Sequence, residues 1–283
     1  MNYGKKSASK KRNSLISRSS MMGKRAHVSF IRVLFIGLIA LCVAVSSLGI
    51  GSIRGILANT PDVNEVDIMP LGYATFLYDC NGNQIRKLAA PNANRLPVSI
   101  DQIPEDLQHA VVAIEDERFY DHNGIDLKGI VRALVADVRT RDFSQGASTL
   151  TQQLIKNNVL SEQWANENDS NISKMEKMER QVQRKIQEQY LAIELEKKVN
   201  DKNWILENYL NSINLGSNTL GVQAAAQRYF GKDVSKLTLS ECAVIAGITK
   251  NPAGYNPILH PKENAKRRKN AVSYTHLRAH ETG

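Results

Sequence analysis

An uninterrupted apolar segment near the N-terminus constrains this chain more than any other feature of its sequence. Residues 33–53 read VLFIGLIALCVAVSSLGIGSI, carry no charged side chain, and are flanked by Arg32 and Arg54. As an α-helix these 21 residues are about 32 Å long, and the hydrocarbon core of a bilayer is roughly 30 Å thick. The segment therefore predicts one transmembrane helix.

The charges on either side of this segment predict its orientation. Residues 1–32 hold nine Lys and Arg side chains and no Asp or Glu, whereas acidic residues follow the segment from Asp62 onward. By the positive-inside rule, residues 1–32 are a basic cytoplasmic tail, residues 33–53 are a type II anchor, and the rest lies outside the cell. Cleavage as a signal peptide is the alternative, favoured by the small residues near Ser46 to Ser52, but signal peptides use apolar runs of only about 7 to 15 residues.

The formal net charge of +9 belongs to the tail and not to the rest of the chain. The sequence has 37 Lys and Arg against 28 Asp and Glu, so without the nine basic residues of the tail each sign counts 28. A domain with balanced charge is not expected to bind nucleic acid.

The sequence gives no sign of a zinc site, a disulfide framework or a nucleotide-binding loop. Cys42 lies in the apolar segment, and Cys80 and Cys242 have no metal-ligand spacing, so these two are interpreted as structural. No Cys-x-x-Cys, His-Glu-x-x-His, G-x-S-x-G or Walker A pattern occurs. The substrate is therefore expected outside the cell and is not expected to be a nucleotide.

Residues 54–100 are predicted to form a stalk that contains a β-hairpin. The runs Tyr73–Asp79 and Gln84–Leu88 flank Asn81 and Gly82, a residue pair typical of tight hairpin turns.

The periodicity becomes helical in residues 101–271, which are predicted to form a mainly α domain. Pro104 suits a first helical turn, and the apolar residues within Leu107–Ile114 fall at helical spacing. Further helices are predicted from near Asp126, with an apolar stripe of Leu127, Ile130, Val131, Leu134 and Val135, and over Ser173–Lys198, Asn203–Asn211 and Leu239–Thr249. The polar stretch Ser161–Ser173 is predicted to be a loop.

The first string that can carry chemistry is EDERFYDHNG, residues 115–124. Glu115 follows Val111 and Ile114 on an apolar helix face, where partial loss of solvent suits a carboxylate that accepts a proton. The alternative is a solvated acidic helix end with His122 as an ordinary loop residue. These residues alone leave both interpretations open.

A second string, GASTLTQQLIKN at residues 146–157, concentrates hydroxyl and amide side chains. Ser148, Thr149, Gln152 and Gln153 offer donors and acceptors that suit sugar hydroxyls or phosphate oxygens better than a core. Alternatively, Ser148 or Thr149 simply caps the helix that follows, which explains one residue and not the amide pair.

The long predicted helix carries Arg180, Arg184 and Glu188 at i, i+4 and i+8, with Lys185 beside them. An exposed ion pair between Arg184 and Glu188 is the plainer interpretation, and such pairs contribute little stability. However, the next residues, Tyr190–Ile193, are apolar nearly all round, so Glu188 lies where the helix enters the core. A carboxylate among basic groups at that point indicates a site, and the basic groups could hold a pyrophosphate leaving group.

Five strings in one order resemble the glycosyltransferase domain of class A penicillin-binding proteins, which is family 51 of the glycosyltransferases. They are EDERFYDHNG, GASTLTQQLIKN, RKIQEQYLA, ILENYLNSINLGSNTLGVQAAAQRYFGK and LTLSECAVIAGITKNPAGYNP, within residues 101–269. The resemblance implies a lysozyme-like, mainly helical fold. It also implies polymerisation of lipid II, a disaccharide-peptide carried on undecaprenyl pyrophosphate, into β-1,4-linked glycan strands.

The resemblance further implies roles for particular residues. Glu115 matches the catalytic base and Glu188 the second carboxylate. The other matched positions are implied to bind substrate: Asp116, Phe119, His122, Ser148, Thr149, Gln152, Gln153, Lys156, Asn157, Arg180, Arg184 and Lys185. The basic ones surround the donor pyrophosphate, and the hydroxyl and amide side chains line the cleft between donor and acceptor sites. No certain cofactor is implied, and a divalent cation, Mg or Mn, at the pyrophosphate is left open.

The implied partners are lipid II, the growing glycan strand, membrane lipid and a cell-wall synthesis complex, with no nucleic acid. The implied location is the bacterial cell membrane, crossed once, with the catalytic domain on the extracellular or periplasmic face. Two alternatives are a lytic transglycosylase, which needs no cationic cluster, and a non-catalytic scaffold, which does not need both carboxylates.

The chain departs from the family pattern in three places. The stretch Leu160–Glu179 is longer than typical, which makes Arg180 the least well matched position. The transpeptidase signatures S-x-x-K, S-x-N and K-T-G are absent, and HPKENAKRRKNAV resembles the link to that domain, so a truncated bifunctional protein is expected, with a naturally monofunctional enzyme as the alternative. Residues 272–283 do not fit the family and are predicted to be an adapter-derived tail, so His276 and His280 are not expected to bind metal.

Overall fold

The computed structural model describes residues 4–16, 18–66, 68–69, 72–88, 94–140, 146–165 and 172–269. The chain divides into two compact units, residues 1–59 and 60–283. The predicted adapter-derived tail at 272–283 lies outside the described residues and stays a prediction.

The first unit consists of two helices, α1 at Lys5–Ile16 and α2 at Arg18–Ala58, and α2 includes the predicted span at 33–53. Within α2, Ala26–Ala58 is long and apolar enough to cross a membrane, and its large apolar side chains are exposed. A helix that is apolar on all faces needs an apolar surrounding, which a bilayer provides. The predicted apolar helix is confirmed, and its orientation stays a prediction.

The second unit contains the predicted β-hairpin, which is confirmed. Strands β1 (Thr75–Tyr78) and β2 (Gln84–Leu88) pair antiparallel, with their outer ends opposite each other. The Asp79 carboxylate accepts a hydrogen bond from the backbone amide of Asn83, and Gly82 takes the positive φ of 81° that the turn requires. The hairpin therefore turns where the Asn-Gly pair predicts it.

Eight helices follow among the described residues and make the second unit mainly α-helical, as predicted. They are α3, Glu105–Glu115; α4, Leu127–Thr140; α5, Leu150–Asn158; α6, Lys174–Val199; α7, Lys202–Ser212; α8, Val222–Phe230; α9, Leu239–Ile248; and α10, residues 261–269. Short 3-10 turns lie at Ile100–Gln102 and Val234–Lys236. Helices α8 and α10 are not among the elements predicted from the sequence.

Side-chain caps fix the starts of the helices that form the site. Thr149, Ser173 and Thr238 each accept a hydrogen bond from a backbone amide three residues on, at the starts of α5, α6 and α9. Asn200 ends α6 with a left-handed φ of 48°, and Asp201 caps α7 directly afterwards. Two residues, Asn200 and Asp201, therefore connect α6 to α7.

The core of the second unit lies between α3, α5, α6, α7 and α9. Fully buried side chains there include Leu107, Leu154, Ile155, Leu191, Leu195, Leu206, Tyr209, Leu210 and Ile245. Helix α5 packs against α6 and α7, and α3 packs against α9. Each buried Leu or Ile contributes about 1.5 to 3 kcal/mol. This packing therefore fixes how the helices lie against one another, and with it the positions of their ends. The C-terminal ends of α3 and α9 consequently bring Glu115 and Thr249 into hydrogen-bond contact.

The apolar stripe on α4 faces outward. Leu127, Val131, Leu134 and Val135 are each 59 to 71% exposed. Among the residues of this helix whose burial the structure describes, the small Gly129 and Ala133 are the buried ones. Helical spacing therefore predicts this helix correctly, but the helix turns its small residues inward and its apolar stripe outward.

Candidate active site

A cavity of about 610 Å³, the central cavity, opens where α3 ends, and residues of α5, α6, α10 and the segment after α9 form its other walls. Eight predicted site residues lie on these walls: Glu115, Ser148, Gln153, Lys156, Asn157, Arg184, Lys185 and Glu188. The wall carries five basic side chains, Lys156, Arg184, Lys185, Lys250 and Arg267, against two carboxylates, Glu115 and Glu188, so its net charge is +3. A cavity of this charge suits an anionic substrate.

Glu115 is the last residue of α3, and its side chain is 11% exposed at the cavity wall. One carboxylate oxygen, Oε1, accepts hydrogen bonds from Thr249 Oγ1 at 2.5 Å and from Arg267 Nη2 at 2.9 Å. The other oxygen, Oε2, accepts a hydrogen bond from Gln153 Nε2 at 3.1 Å. Donors from three separate parts of the chain therefore hold the carboxylate in one orientation beside the cavity.

Gln153 is itself oriented by Tyr209, which lies in the core on α7. The Tyr209 hydroxyl donates a hydrogen bond to Gln153 Oε1 at 3.2 Å. Burial raises the pKa of the Tyr209 phenol well above its usual value, and the nearby carboxylates of Glu115 and Asp116 raise this pKa further. The hydroxyl therefore keeps its proton and stays a donor to Gln153.

Glu188 organises the cationic side of the cavity. Its side chain is 1% exposed, and both oxygens are paired, Oε1 with Arg184 and Oε2 with Lys185 Nζ at 2.6 Å. Lys185 also donates a hydrogen bond to Ser148 Oγ at 2.7 Å. Because a buried carboxylate needs partners, Glu188 holds these two cations at the wall, where Lys156 of α5 joins them. Fixed, converging cations of this kind bind polyphosphate groups.

Asp116, Phe119 and His122 lie beside the central cavity and not on its walls, and Asp116 lines a small cavity that also includes Glu115 and Ser148. Their predicted contact with substrate stays a prediction, and the structure shows what else they contact. Asp116 is buried and accepts hydrogen bonds from His122 Nε2 at 2.9 Å and from the backbone amide of Leu150 at 2.9 Å. Phe119 is fully buried, with Lys202 Nζ 4.5 Å from its ring centre. These contacts join the loop after Glu115 to the starts of α5 and α7.

Thr149 and Gln152 also support that loop and lie outside the central cavity, and Thr149 lines the small cavity beside it. Their predicted place in the substrate cleft stays a prediction. Thr149 caps α5, as the alternative interpretation of the sequence holds, and its hydroxyl donates to the Gly124 carbonyl oxygen at 2.8 Å. The Gln152 amide donates to the same oxygen at 3.2 Å. Gly124 has a φ of 86°, and a Cβ there would lie 2.6 Å from the Ala192 carbonyl oxygen. The two side chains therefore anchor a tight approach between the loop and α6.

Arg180 is likewise outside the cationic cluster. It pairs with Glu176 at 2.8 Å, one turn toward the N-terminus of α6, and both side chains are about a third or more exposed. Since eight residues of helix separate Arg180 from Glu188 by about 12 Å, the i, i+8 spacing does not bring the two side chains into contact.

Four residues at or behind the site are missed by sequence reasoning: Tyr209, Thr249, Lys250 and Arg267. Arg267 belongs to a basic run that resembles an interdomain link, but residues 261–269 form α10. The buried Asn264 fixes this helix by donating to the backbone oxygens of Val244 and Tyr255. The burial of Asn264 is visible only in the structure, so the basic run by itself gave no signal that the segment packs against the domain.

The side chains around the cavity do not fit the divalent cation that the sequence leaves open. Among the described residues, no group of three or more His, Cys, Asp or Glu is placed to hold a metal. The two wall carboxylates are already engaged, Glu115 by three hydrogen-bond donors and Glu188 by two cations. The wall therefore presents fixed positive charge instead of free metal ligands.

Comparison with known proteins places this chain in a family. Residues 81–276 match the family described as transglycosylase. The chain is 37% identical over 273 residues to penicillin-binding protein 1A of Clostridium perfringens (strain 13 / Type A), which covers 94% of the chain and 37% of that protein. It is 42% identical over 229 residues to penicillin-binding protein 1A of Escherichia coli (strain K12), covering 80% of the chain and 25% of that protein.

A solved structure, penicillin-binding protein 1A from Haemophilus influenzae, aligns with 72% of this chain and 18% of its own, at 25% identity and a TM-score of 0.35. The chain spans 37% and 25% of the length of the two curated relatives, from Clostridium perfringens and Escherichia coli respectively.

Proposed function

The chain belongs to the transglycosylase family, and from that premise we propose that it is a membrane-anchored peptidoglycan glycosyltransferase. It polymerises lipid II into β-1,4-linked glycan strands and releases undecaprenyl pyrophosphate. The observation that carries the proposal is that Glu115 and the cluster of Arg184, Lys185 and Glu188 lie on the walls of one cavity. A carboxylate base and a pyrophosphate-binding cluster are the two parts that this transfer needs.

Glu115 acts as the general base. The acceptor sugar hydroxyl gives its proton to the carboxylate while its oxygen forms a bond to the anomeric carbon of the donor. The bond between that carbon and the pyrophosphate oxygen breaks, and pyrophosphate leaves with the electron pair. Arg267 and Thr249 hold one oxygen of this carboxylate in place beside the cavity.

The cationic cluster stabilises the leaving group. Negative charge grows on the pyrophosphate as its bond to the sugar breaks, and cations that are already in place need no reorganisation at that moment. Glu188 holds Arg184 and Lys185 in place, and Lys156 approaches the same cavity from α5. Glu188 thereby acts by positioning cations, and its own charge is neutralised by Arg184 and Lys185.

Helix α2 supplies the membrane attachment in this proposal. The substrate is itself a membrane lipid, so an enzyme fixed to the bilayer meets it at the same surface. The basic tail at residues 1–32 places the N-terminus in the cytoplasm of a bacterial cell and the catalytic domain on the extracellular or periplasmic face. Further partners are the growing glycan strand and a cell-wall synthesis complex.

The same geometry argues against a lytic transglycosylase. Such an enzyme cleaves glycan with an acidic residue and releases no pyrophosphate. It therefore needs no cations for a leaving group, whereas Lys156, Arg184 and Lys185 lie together on the wall of this cavity.

Incubation of the purified chain with lipid II in detergent tests the proposal. We expect glycan polymer on a sizing gel, with and without a chelator, because the wall supplies fixed cations. Cutting of preformed glycan without polymer would indicate the lytic activity, and neither product would indicate a non-catalytic scaffold. An exposed glutamate on α10, Glu263, provides a control variant, Glu263→Gln, that should polymerise at the wild-type rate.

A further inference from the structure

The hydrogen bonds at Glu115 distinguish its two oxygens. An ionised carboxylate offers about four lone-pair positions, two on each oxygen. Oε1 uses both of its positions, one for the Thr249 hydroxyl and one for the Arg267 guanidinium. Oε2 uses one, for the amide of Gln153. One acceptor position therefore stays open on the carboxylate, and it lies on Oε2.

Gln153, which donates to Oε2, is held in place by Tyr209, a residue that does not line the cavity. A glutamine amide can present either its NH2 group or its oxygen to a neighbour, and only the NH2 group can donate to a carboxylate. Tyr209, fully buried on α7, donates its hydroxyl proton to Gln153 Oε1. This bond keeps the amide oxygen turned to the core and the NH2 group turned to Glu115. Without it, the amide can turn over and bring two oxygens together.

The charged donor on Oε1 is held equally firmly. The Arg267 side chain is 15% exposed, and its guanidinium lies 5.5 Å from the ring centre of Tyr255. Asn264, one turn earlier on α10, ties the helix to the backbone of Val244 and Tyr255. Helix α10 therefore delivers one cation to Glu115 in a fixed position.

We propose that Oε2 of Glu115 receives the proton of the acceptor hydroxyl, and that Tyr209 and Arg267 are the positioning residues that make it do so. The inference rests on the proposed function and adds the accepting atom and two residues to it. In the step, the acceptor O–H bond breaks and its proton forms a bond to Oε2. The acceptor oxygen bonds to the anomeric carbon, and the donor pyrophosphate leaves with the electrons of the broken bond.

Other charged and titratable groups also surround Glu115. They are Asp116 on the adjoining loop, Tyr209 on α7, Lys156 on α5, Lys250 after α9, and the cluster of Arg184, Lys185 and Glu188 on α6. Arg267 is the cation paired with Glu115 among the described residues. Its removal should therefore loosen the Glu115 carboxylate more than removal of any of the other cations.

The test uses the full chain in detergent with lipid II as substrate, and it compares kcat and KM of each variant. Tyr209→Phe should lower kcat about three- to tenfold, the effect of one lost hydrogen bond, and leave KM within about twofold. Arg267→Gln removes the charged donor on Oε1, so it should also lower kcat about three- to tenfold and leave KM within about twofold. Arg267→Lys keeps a charged donor and should recover most of that loss.

Matched controls separate positioning from general loss of packing. Tyr229→Phe removes a hydroxyl that donates to the Leu215 carbonyl oxygen, away from Glu115, and should keep wild-type kcat. Arg268→Gln removes the neighbouring arginine of the same helix, outside the cavity wall, and should keep wild-type kcat and KM. Thermal unfolding of each variant verifies the fold, and Arg267→Lys serves if Arg267→Gln does not fold.

The outcomes separate this inference from the function beneath it. If Glu115→Gln is inactive while Tyr209→Phe and Arg267→Gln have wild-type kcat, the positioning roles are wrong and the base assignment stands. If Glu115→Gln polymerises lipid II like wild type, the base assignment is wrong and the inference falls with it. A lower kcat at nearly unchanged KM for Tyr209→Phe and Arg267→Gln, with recovery in Arg267→Lys, supports the inference.

Discussion

Replacing Glu188 by Gln tests whether this residue organises the cationic wall. The amide has the same shape as the carboxylate, but it removes the charge that Arg184 and Lys185 share and turns one acceptor into a donor that faces a cation. Breaking a fully buried pair costs about 3 to 5 kcal/mol. Arg184 is 15% exposed and Lys185 is 41% exposed, so water recovers part of this cost. We expect the free energy of unfolding to fall by about 2 to 3 kcal/mol.

The same helix contains a matched control. Glu176 pairs with Arg180 at the same i, i+4 spacing, but both side chains are about a third or more exposed, so Glu176→Gln should cost less than about 0.5 kcal/mol. Trp164 reports on the region, because its indole donates a hydrogen bond to Gln187, next to Glu188. Followed by tryptophan fluorescence, the midpoint for Glu188→Gln should fall by about 4 to 12 °C, and that for Glu176→Gln by less than about 2 °C.

Turnover should fall with the stability of the cluster. At a temperature where Glu188→Gln is folded, kcat for lipid II should be lower than for Glu176→Gln, because the two cations no longer have a fixed position. A melting temperature for Glu188→Gln within about 2 °C of wild type, or an equal loss in both variants, would refute the view that Glu188 is a buried organiser.

Two further predictions concern single side chains. Lys156→Ala should impair use of the donor more than binding of the acceptor, because the cation acts where the departing pyrophosphate gains charge, and equal effects in kinetics that vary donor and acceptor separately would contradict its assignment. Burial raises the pKa of the Cys242 thiol to about 12, so at pH 8 maleimide should label the exposed Cys80 and spare Cys242 in the folded chain, as peptide mass spectrometry can verify, whereas labelling of Cys242 at the rate of Cys80 would show that this part of the core is open.

Local patterns predicted the elements of this chain well. The apolar run gave α2, the Asn-Gly pair gave the hairpin, and helical spacing gave α3, α4, α6, α7 and α9, because each signal depends on neighbouring residues. The exposed apolar stripe of α4 shows what such local signals leave open. An apolar stripe shows that a helix can form with one apolar face, but what covers that face depends on distant parts of the chain.

The site was predictable where the chemistry lies within one string. Glu115, Lys156, Lys185 and Glu188 lie on the cavity wall that the resemblance implies for them. Arg267 was not predictable in this way, because it contacts Glu115 across 152 residues of sequence. Conversely, a string that resembles a catalytic motif also contains residues that hold the neighbouring loop and do not line the cavity.

The predicted site residues that lie away from the central cavity include some that hold this loop. Thr149 and Gln152 fall in the same string as Gln153, but they lie on the other side of α5 and hold the Gly124 carbonyl. Helical geometry turns successive residues by about 100°, so neighbours in a motif face different surroundings. A string that carries a motif therefore does not say which of its members touch a substrate.

The most direct test of the central claim is the rate of lipid II polymerisation by Glu115→Gln beside wild type and Glu263→Gln. Circular dichroism should show the same helical content in all three, because the amide preserves the shape of the Glu115 side chain. If Glu115 takes the proton of the acceptor hydroxyl, its variant should be about 10²- to 10⁴-fold slower than wild type, and Glu263→Gln should match wild type. Polymerisation by Glu115→Gln within about threefold of wild type would contradict the account.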